Sequence, residues 1–128
     1  MEIRLFPSYL HGSISVPVSK SLLHRHLICR SLAGEYIELA DAADDVARTA
    51  AALAALRNGE KVIDCGRSGS TLRFLLPLAM AQGKIDVMLT GEEQLLKRPV
   101  PASLPMERTA RGLRVTEKLT PGTYLLAA

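Results

Sequence analysis

Ser19-Lys20-Ser21-Leu22-Leu23-His24-Arg25 is a short polar turn that joins a strand-like stretch to a helix-like one. Residues 12–16 before it alternate between polar and apolar side chains, and the apolar side chains of residues 22–32 recur at helical spacing. The first backbone N–H groups of a helix have no partner within the helix, and the helix dipole makes that end positive. Together with the lysine, the second serine and the arginine of the turn, these groups predict an anion site, although a capping serine beside two solvated cations would give the same pattern.

A second copy of this turn follows 49 residues later in the chain. A shift of 49 residues places Ser19-Lys20-Ser21 on Ser68-Gly69-Ser70 and Gly34 on Gly83, without a gap. Each copy has the order strand, small polar turn, helix, glycine, strand and acidic helix start, which predicts a repeated βαβα unit. Two such turns give two helix starts, which could face one anionic ligand or could only reflect how the fold is built.

The predicted fold class is α/β (α+β), with two βαβα repeats whose helices pack against a mixed sheet. Pro77 lies inside the third predicted helix and should kink it or loosen one turn, while the prolines of residues 98–105 exclude regular structure there. Helices are predicted at 20–33, 44–57, 69–82 and 92–97, and strands at 1–6, 12–16, 36–40, 61–65, 84–90, 113–115 and 124–126.

The composition limits the classes of function. The 128 residues suffice for one domain with one core, and 48% hydrophobic with 23% charged residues is typical of a soluble globular protein. The net charge of +3 and the aromatic content of 4%, without tryptophan, argue against a nucleic-acid partner. No apolar stretch is long enough to cross a membrane, and Cys29 and Cys65 form no disulfide framework, so we predict a cytoplasmic protein.

Three further groups of residues are candidates for chemistry. Residues 64–73 form a second turn rich in glycine and hydroxyl groups, although the spacing is not that of a P-loop. Arg98 precedes a proline, which favours an extended backbone that could aim the guanidinium at a fixed point, while a solvated basic loop is the simpler interpretation. His24, His26 and Cys29 are not expected to bind a metal, because positions two apart on a helix face different directions.

These stretches resemble, in the same order, the signatures of the EPSP synthase (3-phosphoshikimate 1-carboxyvinyltransferase) family. Lys20-Ser21 at the first turn distinguishes the chain from the related UDP-N-acetylglucosamine enolpyruvyl transferases, which usually have Lys-Asn there. The matching stretches are residues 12–17 and 19–21 with Arg25, residues 64–66 and 68–75, residues 97–99, and residues 119–124. Because the four motifs cover nearly the whole chain, the resemblance favours the anion site over a merely capped and solvated turn.

The resemblance implies a transferase of the shikimate pathway of aromatic amino acid biosynthesis, which moves the enolpyruvyl group of phosphoenolpyruvate onto shikimate 3-phosphate. Both substrates carry phosphate and carboxylate groups, which cations and helix starts can neutralise. The resemblance assigns no catalytic residue within this chain and implies no metal or organic cofactor. By position it implies contacts of Lys20, Ser21 and Arg25 with shikimate 3-phosphate, contacts of Lys20, Gly69 and Arg98 with phosphoenolpyruvate, and supporting roles for Asp45, Ser70 and Arg73.

The chain also departs from the family pattern. Val18 stands where the family usually has glycine, which could stiffen the turn, and Arg67 stands where it commonly has asparagine or glutamate. The segment after Leu56 is short, so a strand pair that normally closes the first repeat is expected to be missing, and the segment after Arg98 is also short.

The family's Ser-Ser-Gln substrate motif and its second domain do not occur within the 128 residues. We therefore expect residues 1–128 to form a single domain that is a partial first domain, inactive alone, with the missing second domain as its partner. Its repeats are expected at about 12–60 and 61–118, with the start of a third at 119–128. Two other functions stay open here: a non-catalytic module of the same fold that binds a phosphorylated small molecule, and a nucleic-acid-binding domain, which charge and aromatic content disfavour.

Overall fold

The computed structural model describes residues 2–9, 11–35, 39 and 44–124, which form four helices and four strands. In chain order these elements are α1 (Lys20–Leu32), α2 (Asp44–Asn58), β1 (Val62–Asp64), α3 (Gly69–Ala81), β2 (Met88–Thr90), α4 (Glu93–Leu96), β3 (Met106–Thr109) and β4 (Gly112–Val115).

The four strands form one mixed sheet in the order β1-β2-β4-β3. β1 and β2 are parallel and are connected through α3, whereas β4 is antiparallel to both β2 and β3. Ile63 pairs with Leu89, which in turn pairs with Leu113, so one row of side chains, each at most 1% exposed, crosses three strands. This row and the apolar side chains of the helices form one buried cluster, so the helices pack on this face of the sheet.

The three long helices contribute unequally to the core. α3 presents an apolar stripe at helical spacing, and α2 is rich in alanine, which lets it lie close to its neighbours. α1 buries only Leu27 and the imidazole of His24. The buried apolar side chains of α2 and α3 are Val46, Ala52, Leu53, Leu56, Leu72, Leu75, Leu76, Ala79 and Met80.

α1 and α2 run parallel and begin at the same end. Lys20 Nζ lies 3.9 Å from Asp45 Oδ2 and, one turn further along both helices, His24 Nδ1 lies 2.8 Å from Thr49 Oγ1. Contacts that advance by four residues on both helices indicate parallel axes. Because Thr49 also contacts Thr71 in the first turn of α3, all three helices begin at one end of the domain.

The helix starts recur at the spacing that the sequence predicts. α1 begins at Lys20 and α3 at Gly69, and α2 begins at Asp44 and α4 at Glu93, so the starts lie 49 residues apart in both pairs. The helices themselves differ, because α4 has four residues and α2 has fifteen. The mixed sheet with packed helices confirms the coarser fold class, and the full βαβα repeat stays a prediction.

Two of the predicted strands are wrong. Residues 2–6 and 12–16 contain no strand, and their apolar side chains are exposed, Ile14 to 87%. Alternation yields a strand only where a second strand takes up its backbone hydrogen bonds, and none of the described strands pairs with these residues. Of the strands predicted at 36–40 and 124–126, only Leu39 and Tyr124 are described, neither within a strand, and the remaining positions lie outside the described residues.

The other predicted elements are confirmed, with each helix end within one residue of its predicted position. α3 continues through Pro77 without interruption. β2 starts later than predicted because Asp86, with φ of 64°, forms a turn before it. β3 is an edge strand that the sequence analysis missed, since its four residues do not alternate between buried and exposed side chains.

Candidate functional site

The turn from β1 into α3 is held by hydrogen bonds from both of its ends. Asp64, the last residue of β1, accepts the Gly66 N–H on Oδ1 at 2.8 Å and Arg48 Nη1 on Oδ2 at 3.0 Å. Ser68 is the N-cap of α3, and its Oγ accepts the Thr71 N–H at 3.2 Å. The cap uses one of the free N–H groups at the start of α3, and the others remain available to a ligand.

The guanidinium of Arg98 lies against Gly69, the first residue of α3. A Cβ atom placed on Gly69 would collide with Arg98 Nη1, so only glycine leaves room for this contact. Within the described part of the chain, the Arg98 side chain makes no hydrogen bond or ion pair. A cation at the positive end of a helix is unfavourable, because the two repel each other. An anion bound between the guanidinium and the helix start would be attracted to both.

Arg108 holds the backbone of the loop that carries Arg98. Its Nη2 donates to the Arg98 carbonyl oxygen at 3.0 Å, and its Nη1 donates to the Leu96 carbonyl oxygen. Arg108 lies on β3, so the sheet fixes the position from which the Arg98 side chain starts.

At the start of α1 the predicted basic side chains are already engaged within the protein. Lys20 Nζ lies 3.9 Å from Asp45 Oδ2, and both side chains are more than half exposed. Arg25 Nη1 donates to the Ser21 carbonyl oxygen at 2.8 Å, and its guanidinium carbon lies 5.7 Å from the centre of the Phe74 ring on α3. The last contact is within the range of a cation–π interaction, so Arg25 connects the first turn of α1 to α3.

A row of buried polar side chains connects the three helix starts. His24 Nδ1 lies 2.8 Å from Thr49 Oγ1, which lies 2.7 Å from Thr71 Oγ1, and Thr71 Oγ1 donates to Ser68 Oγ at 2.7 Å. Each of the four residues is at most 5% exposed. We call His24, Thr49, Thr71 and Ser68 the hydroxyl row.

Burial lowers the pKa of His24 below its ordinary value, because the imidazolium would lose its hydration. The carboxylate of Asp45 opposes this shift, and the positive charges of Lys20 and Arg25 add to it. His24 is therefore neutral at neutral pH. Its side chain bonds to Thr49 inside the domain while His26 and Cys29 are exposed, so the three residues do not converge on a common point.

A groove of about 480 Å³ opens beside the starts of α2 and α3. Its charged residues have both signs, and Arg67 Nε lies 3.7 Å from Glu92 Oε1 across it. The prediction that the surface at the helix starts is electropositive stays a prediction. The polar and charged residues of the groove are Asp44, Asp45, Arg48, Arg67, Ser68 and Glu92.

The structure thus brings the predicted site residues together in two groups. Lys20 lies near Asp45 at the starts of α1 and α2, and Gly69 lies near Arg98 at the start of α3. No contact joins Lys20 to Arg98 among the described residues. The remaining predicted residues, Ser21, Ser70 and Arg73, have exposed side chains on α1 or α3.

The sequence analysis missed Thr49, Thr71 and Arg108. Thr49 and Thr71 occupy fully buried helix positions where the apolar stripe calls for a hydrocarbon side chain, and a hydroxyl at such a position requires a hydrogen-bond partner. The sequence therefore indicates that each of these hydroxyl groups needs a hydrogen-bond partner, but it does not indicate which residue that partner is. Arg108 had no signal, because neither β3 nor its distance from the Arg98 loop follows from the local sequence.

Cys65 is fully buried, and burial beside Asp64 raises the pKa of its thiol to about 12, which leaves it unreactive at neutral pH.

Throughout residues 2–9, 11–35, 39 and 44–124, no helix has the length and apolar character needed to cross a membrane.

Residues 38–114 match the family described as EPSP synthase (3-phosphoshikimate 1-carboxyvinyltransferase). Similar proteins named 3-phosphoshikimate 1-carboxyvinyltransferase occur in Clostridium perfringens strain SM101, at 37% identity over 121 residues, and in Clostridium kluyveri, at 34% over 119. A third, from Clostridioides difficile strain 630, is 30% identical over 130 residues. No solved structure matches the chain.

These matches cover unequal shares of the two proteins. Each covers 77% of this chain but only 28% to 30% of the relative, so the chain spans less than a third of the length of these relatives. In the Clostridium perfringens relative, 121 residues correspond to 77% of a 128-residue chain. Such a relative therefore has residues within the matched region for which this chain has no counterpart.

Proposed function

This chain belongs to the EPSP synthase family, and from that premise we propose that it supplies part of the substrate site of a 3-phosphoshikimate 1-carboxyvinyltransferase. In the whole enzyme this activity transfers the enolpyruvyl group of phosphoenolpyruvate to shikimate 3-phosphate. Because the chain spans less than a third of its relatives, we place the rest of the site on a second domain that corresponds to the part of the relatives outside the match.

The observation that carries the proposal is the contact of Arg98 with Gly69 at the start of α3. Arg98 is exposed, and its guanidinium nevertheless lies beside the positive end of α3, where the two repel each other unless an anion lies between them. A phosphate or carboxylate would accept hydrogen bonds from the free N–H groups of α3 and from the guanidinium together. Arg108 keeps the backbone of Arg98 in the position that this arrangement needs.

We assign phosphoenolpyruvate to Lys20, Gly69 and Arg98, and shikimate 3-phosphate to Lys20, Ser21 and Arg25. The three helix starts lie at one end of the domain, which supports placing the two substrates side by side. Asp45 supports this arrangement by its position beside Lys20, and Ser70 and Arg73 extend the exposed surface of α3.

The proposal extends to the organisation of the chain. We propose that residues 1–128 form a single domain, a partial first domain of the enzyme, with repeats at about 12–60 and 61–118 and the start of a third at 119–128. The 49-residue spacing of the helix starts supports the repeat. We also propose that the protein works in the cytoplasm, without a nucleic-acid or membrane partner, as its charge and cysteine content favour.

The isolated chain should bind its anions weakly. A charge-assisted hydrogen bond contributes about 1.5–3 kcal/mol, and an open, hydrated site loses much of this to desolvation and to the ordering of long side chains. We expect a dissociation constant near 1 mM, or about −4 kcal/mol. Turnover should be absent, because proton transfer in enolpyruvyl transfer requires a closed, water-poor site that the partner domain would complete.

The test is titration of the ¹⁵N-labelled chain with phosphoenolpyruvate and shikimate 3-phosphate, followed by amide chemical shifts. The shifts should concentrate at Lys20, Ser21, Gly69 and Ser70. Arg98→Ala should weaken phosphoenolpyruvate binding at least fivefold, while Arg111→Ala, which removes an exposed arginine from the β3–β4 turn, should leave it within twofold. Equal effects of both variants, or release of phosphate that Lys20→Ala abolishes, would show that the site is wrongly assigned or already complete.

A further inference from the structure

The hydroxyl row has a defined direction of hydrogen bonding. Ser68 Oγ accepts both the N–H and the hydroxyl proton of Thr71, which leaves Thr71 Oγ1 only an acceptor toward Thr49. The single hydroxyl proton of Thr49 is then shared between Thr71 Oγ1, at 2.7 Å, and the Asp45 carbonyl oxygen, at 3.1 Å, while Thr49 Oγ1 accepts a proton from His24 Nδ1. A neutral His24 that carries its proton on Nδ1 satisfies every member of the row.

The row connects parts of the protein that are remote in sequence and that lie next to the proposed anion site. His24 is one turn after Lys20 on α1, and Ser68 directly precedes Gly69 on α3. Thr49 lies between them on α2, and its Oγ1 is also 3.1 Å from the Asp45 carbonyl oxygen in the first turn of that helix. A single hydroxyl group therefore contacts the first two turns of all three helices.

Among the described residues, no other buried hydrogen bond joins the three starts, although the His24 ring also lies 6.4 Å from the half-buried ring of Phe74 on α3. The Lys20–Asp45 pair and the Arg25–Phe74 contact lie on the surface, where solvent weakens the first and both side chains can move. Thr49 is fully buried, so its hydroxyl can form these bonds only with the groups that the fold provides. Thr49 thus gives each helix start a buried polar contact in addition to the apolar packing of the core.

We propose that Thr49 is a positioning residue that holds the starts of α1 and α3 at the separation needed for one anion to contact both. The proposal rests on the proposed function, in which Lys20 and Gly69 with Arg98 bind phosphoenolpyruvate. Thr49 itself touches no ligand. It acts through His24 on the side of Lys20 and through Thr71 and Ser68 on the side of Gly69.

The experiment compares two substitutions that separate the hydroxyl from the side-chain volume. Thr49→Val keeps the shape and removes the hydroxyl, whereas Thr49→Ser keeps the hydroxyl and removes a buried methyl group. Both destabilise the 128-residue chain, so a purely structural role predicts weaker phosphoenolpyruvate binding in both. A positioning role predicts about tenfold weaker binding for Thr49→Val and binding within twofold of the parent chain for Thr49→Ser.

A ligand-free measurement accompanies the titration. Exchange of the Thr71 amide proton, which Ser68 accepts, should accelerate in Thr49→Val and not in Thr49→Ser. Thr90→Val is the matched control, because the Thr90 hydroxyl on β2 has only a 3.5 Å contact with the Ile63 carbonyl oxygen and lies outside the row. If Thr49→Val does not fold, Thr71→Val removes the same link from the side of α3 and should give the same tenfold loss.

The possible failures are distinguishable. Absence of binding by the parent chain would overturn the proposed function together with this inference. Binding by the parent that Thr49→Val leaves within twofold, or that Thr49→Ser weakens as much as Thr49→Val, would overturn this inference alone.

Discussion

The starts of α1 and α3 have nearly the same sequence pattern and differ in how they are built. Ser68 caps α3 by accepting the Thr71 N–H, whereas Ser19, at the corresponding position before α1, makes no capping hydrogen bond with its side chain. The chain enters α3 from β1, whose backbone is paired with β2 in the sheet, but it enters α1 from residues 11–19, which are all exposed and belong to no strand. A serine before a helix therefore becomes a cap only where the preceding backbone is fixed.

Burial behind the two turns explains the difference. Thr71 of α3 is fully buried and contributes its N–H and its hydroxyl to the cap, while Leu22, 49 residues earlier, is 66% exposed. α3 is buried between the sheet and α2, whereas α1 packs mainly on α2. The same local pattern can thus give a rigid turn in one copy and a solvated turn in the other.

The largest expected effect is on stability, and it comes from alanine substitution of two leucines at corresponding positions of α3 and α1. Leu72 on α3 is 3% exposed, whereas Leu23 on α1 is only half-buried. Leu72→Ala should lower the free energy of unfolding by about 2–5 kcal/mol, and Leu23→Ala by about 1–2 kcal/mol. Urea unfolding of both variants measures the difference. Equal losses would show that α1 is packed as firmly as α3.

The second comparison concerns the caps themselves. Ser68→Ala removes the acceptor of the Thr71 N–H and should cost about 1–2 kcal/mol, because a lost N-cap leaves that donor unsatisfied. Ser19→Ala removes no capping bond, and its effect should stay below about 0.5 kcal/mol. A similar loss from Ser19→Ala would mean that Ser19 caps α1 in solution and that the two turns are equivalent.

The same contrast explains how much of the fold the sequence could predict. The helices followed from periodic apolar residues and from the small polar residues before them, and their starts were placed within one residue. Residues 12–16 have equally good alternation and form no strand, because pairing depends on a partner strand that the pattern does not contain. β3 was missed for the converse reason, since pairing with β4 makes a strand of residues without a strand pattern.

The candidate site divides in the same way. Lys20, Gly69 and Arg98 could be proposed because their residue types suit an anion and their motifs resemble those of a known family. Arg108 could not be proposed, and Thr49 could be noticed only as a hydroxyl at a buried helix position, because both roles depend on distances to residues 10 and 22 positions away in the chain. Local sequence indicates which groups can bind a ligand, and tertiary packing decides which groups hold them in place.

Lowering the pH should destabilise the folded chain through His24, the titratable member of the hydroxyl row. The pKa of His24 is lowered by burial in the folded chain, so the unfolded chain takes up a proton first as the pH falls. The stabilisation is complete above the ordinary histidine pKa of about 6.5 and is lost as the pH falls from there toward the lower folded pKa. Urea midpoints at pH 7.5, 6.5 and 5.5 should decrease more steeply for the parent chain than for His24→Asn.

His26→Gln is the matched control for this measurement, because His26 is on the same helix and is exposed. It should retain the pH dependence of the parent chain. A parent chain whose stability varies with pH as His24→Asn does would mean that His24 is not held neutral by the fold.

The two copies differ most in chemistry at one pair of positions, Lys20 in the first and Gly69 in the second. Substitutions there should change stability least and ligand binding most. Gly69→Ala places a methyl group where the Arg98 guanidinium now lies, but that group ends a flexible side chain and can swing away without moving the backbone. Alanine also suits a helix better than glycine, so the free energy of unfolding should change by less than about 0.5 kcal/mol. Phosphoenolpyruvate binding should nevertheless weaken, because the displaced guanidinium no longer faces the start of α3.

Lys20→Ala should be equally harmless to the fold, since the Lys20 side chain is 62% exposed, yet it should weaken both substrates. Isothermal titration of each variant with each substrate distinguishes these outcomes. Adding Gly69→Ala to Arg98→Ala decides the mechanism, because two substitutions that remove one interaction are not additive. If the methyl group acts by displacing Arg98, the double variant binds phosphoenolpyruvate as Arg98→Ala does. If it binds more weakly still, the methyl group blocks the anion directly, and the α3 turn binds the ligand through its own backbone rather than through the arginine beside it.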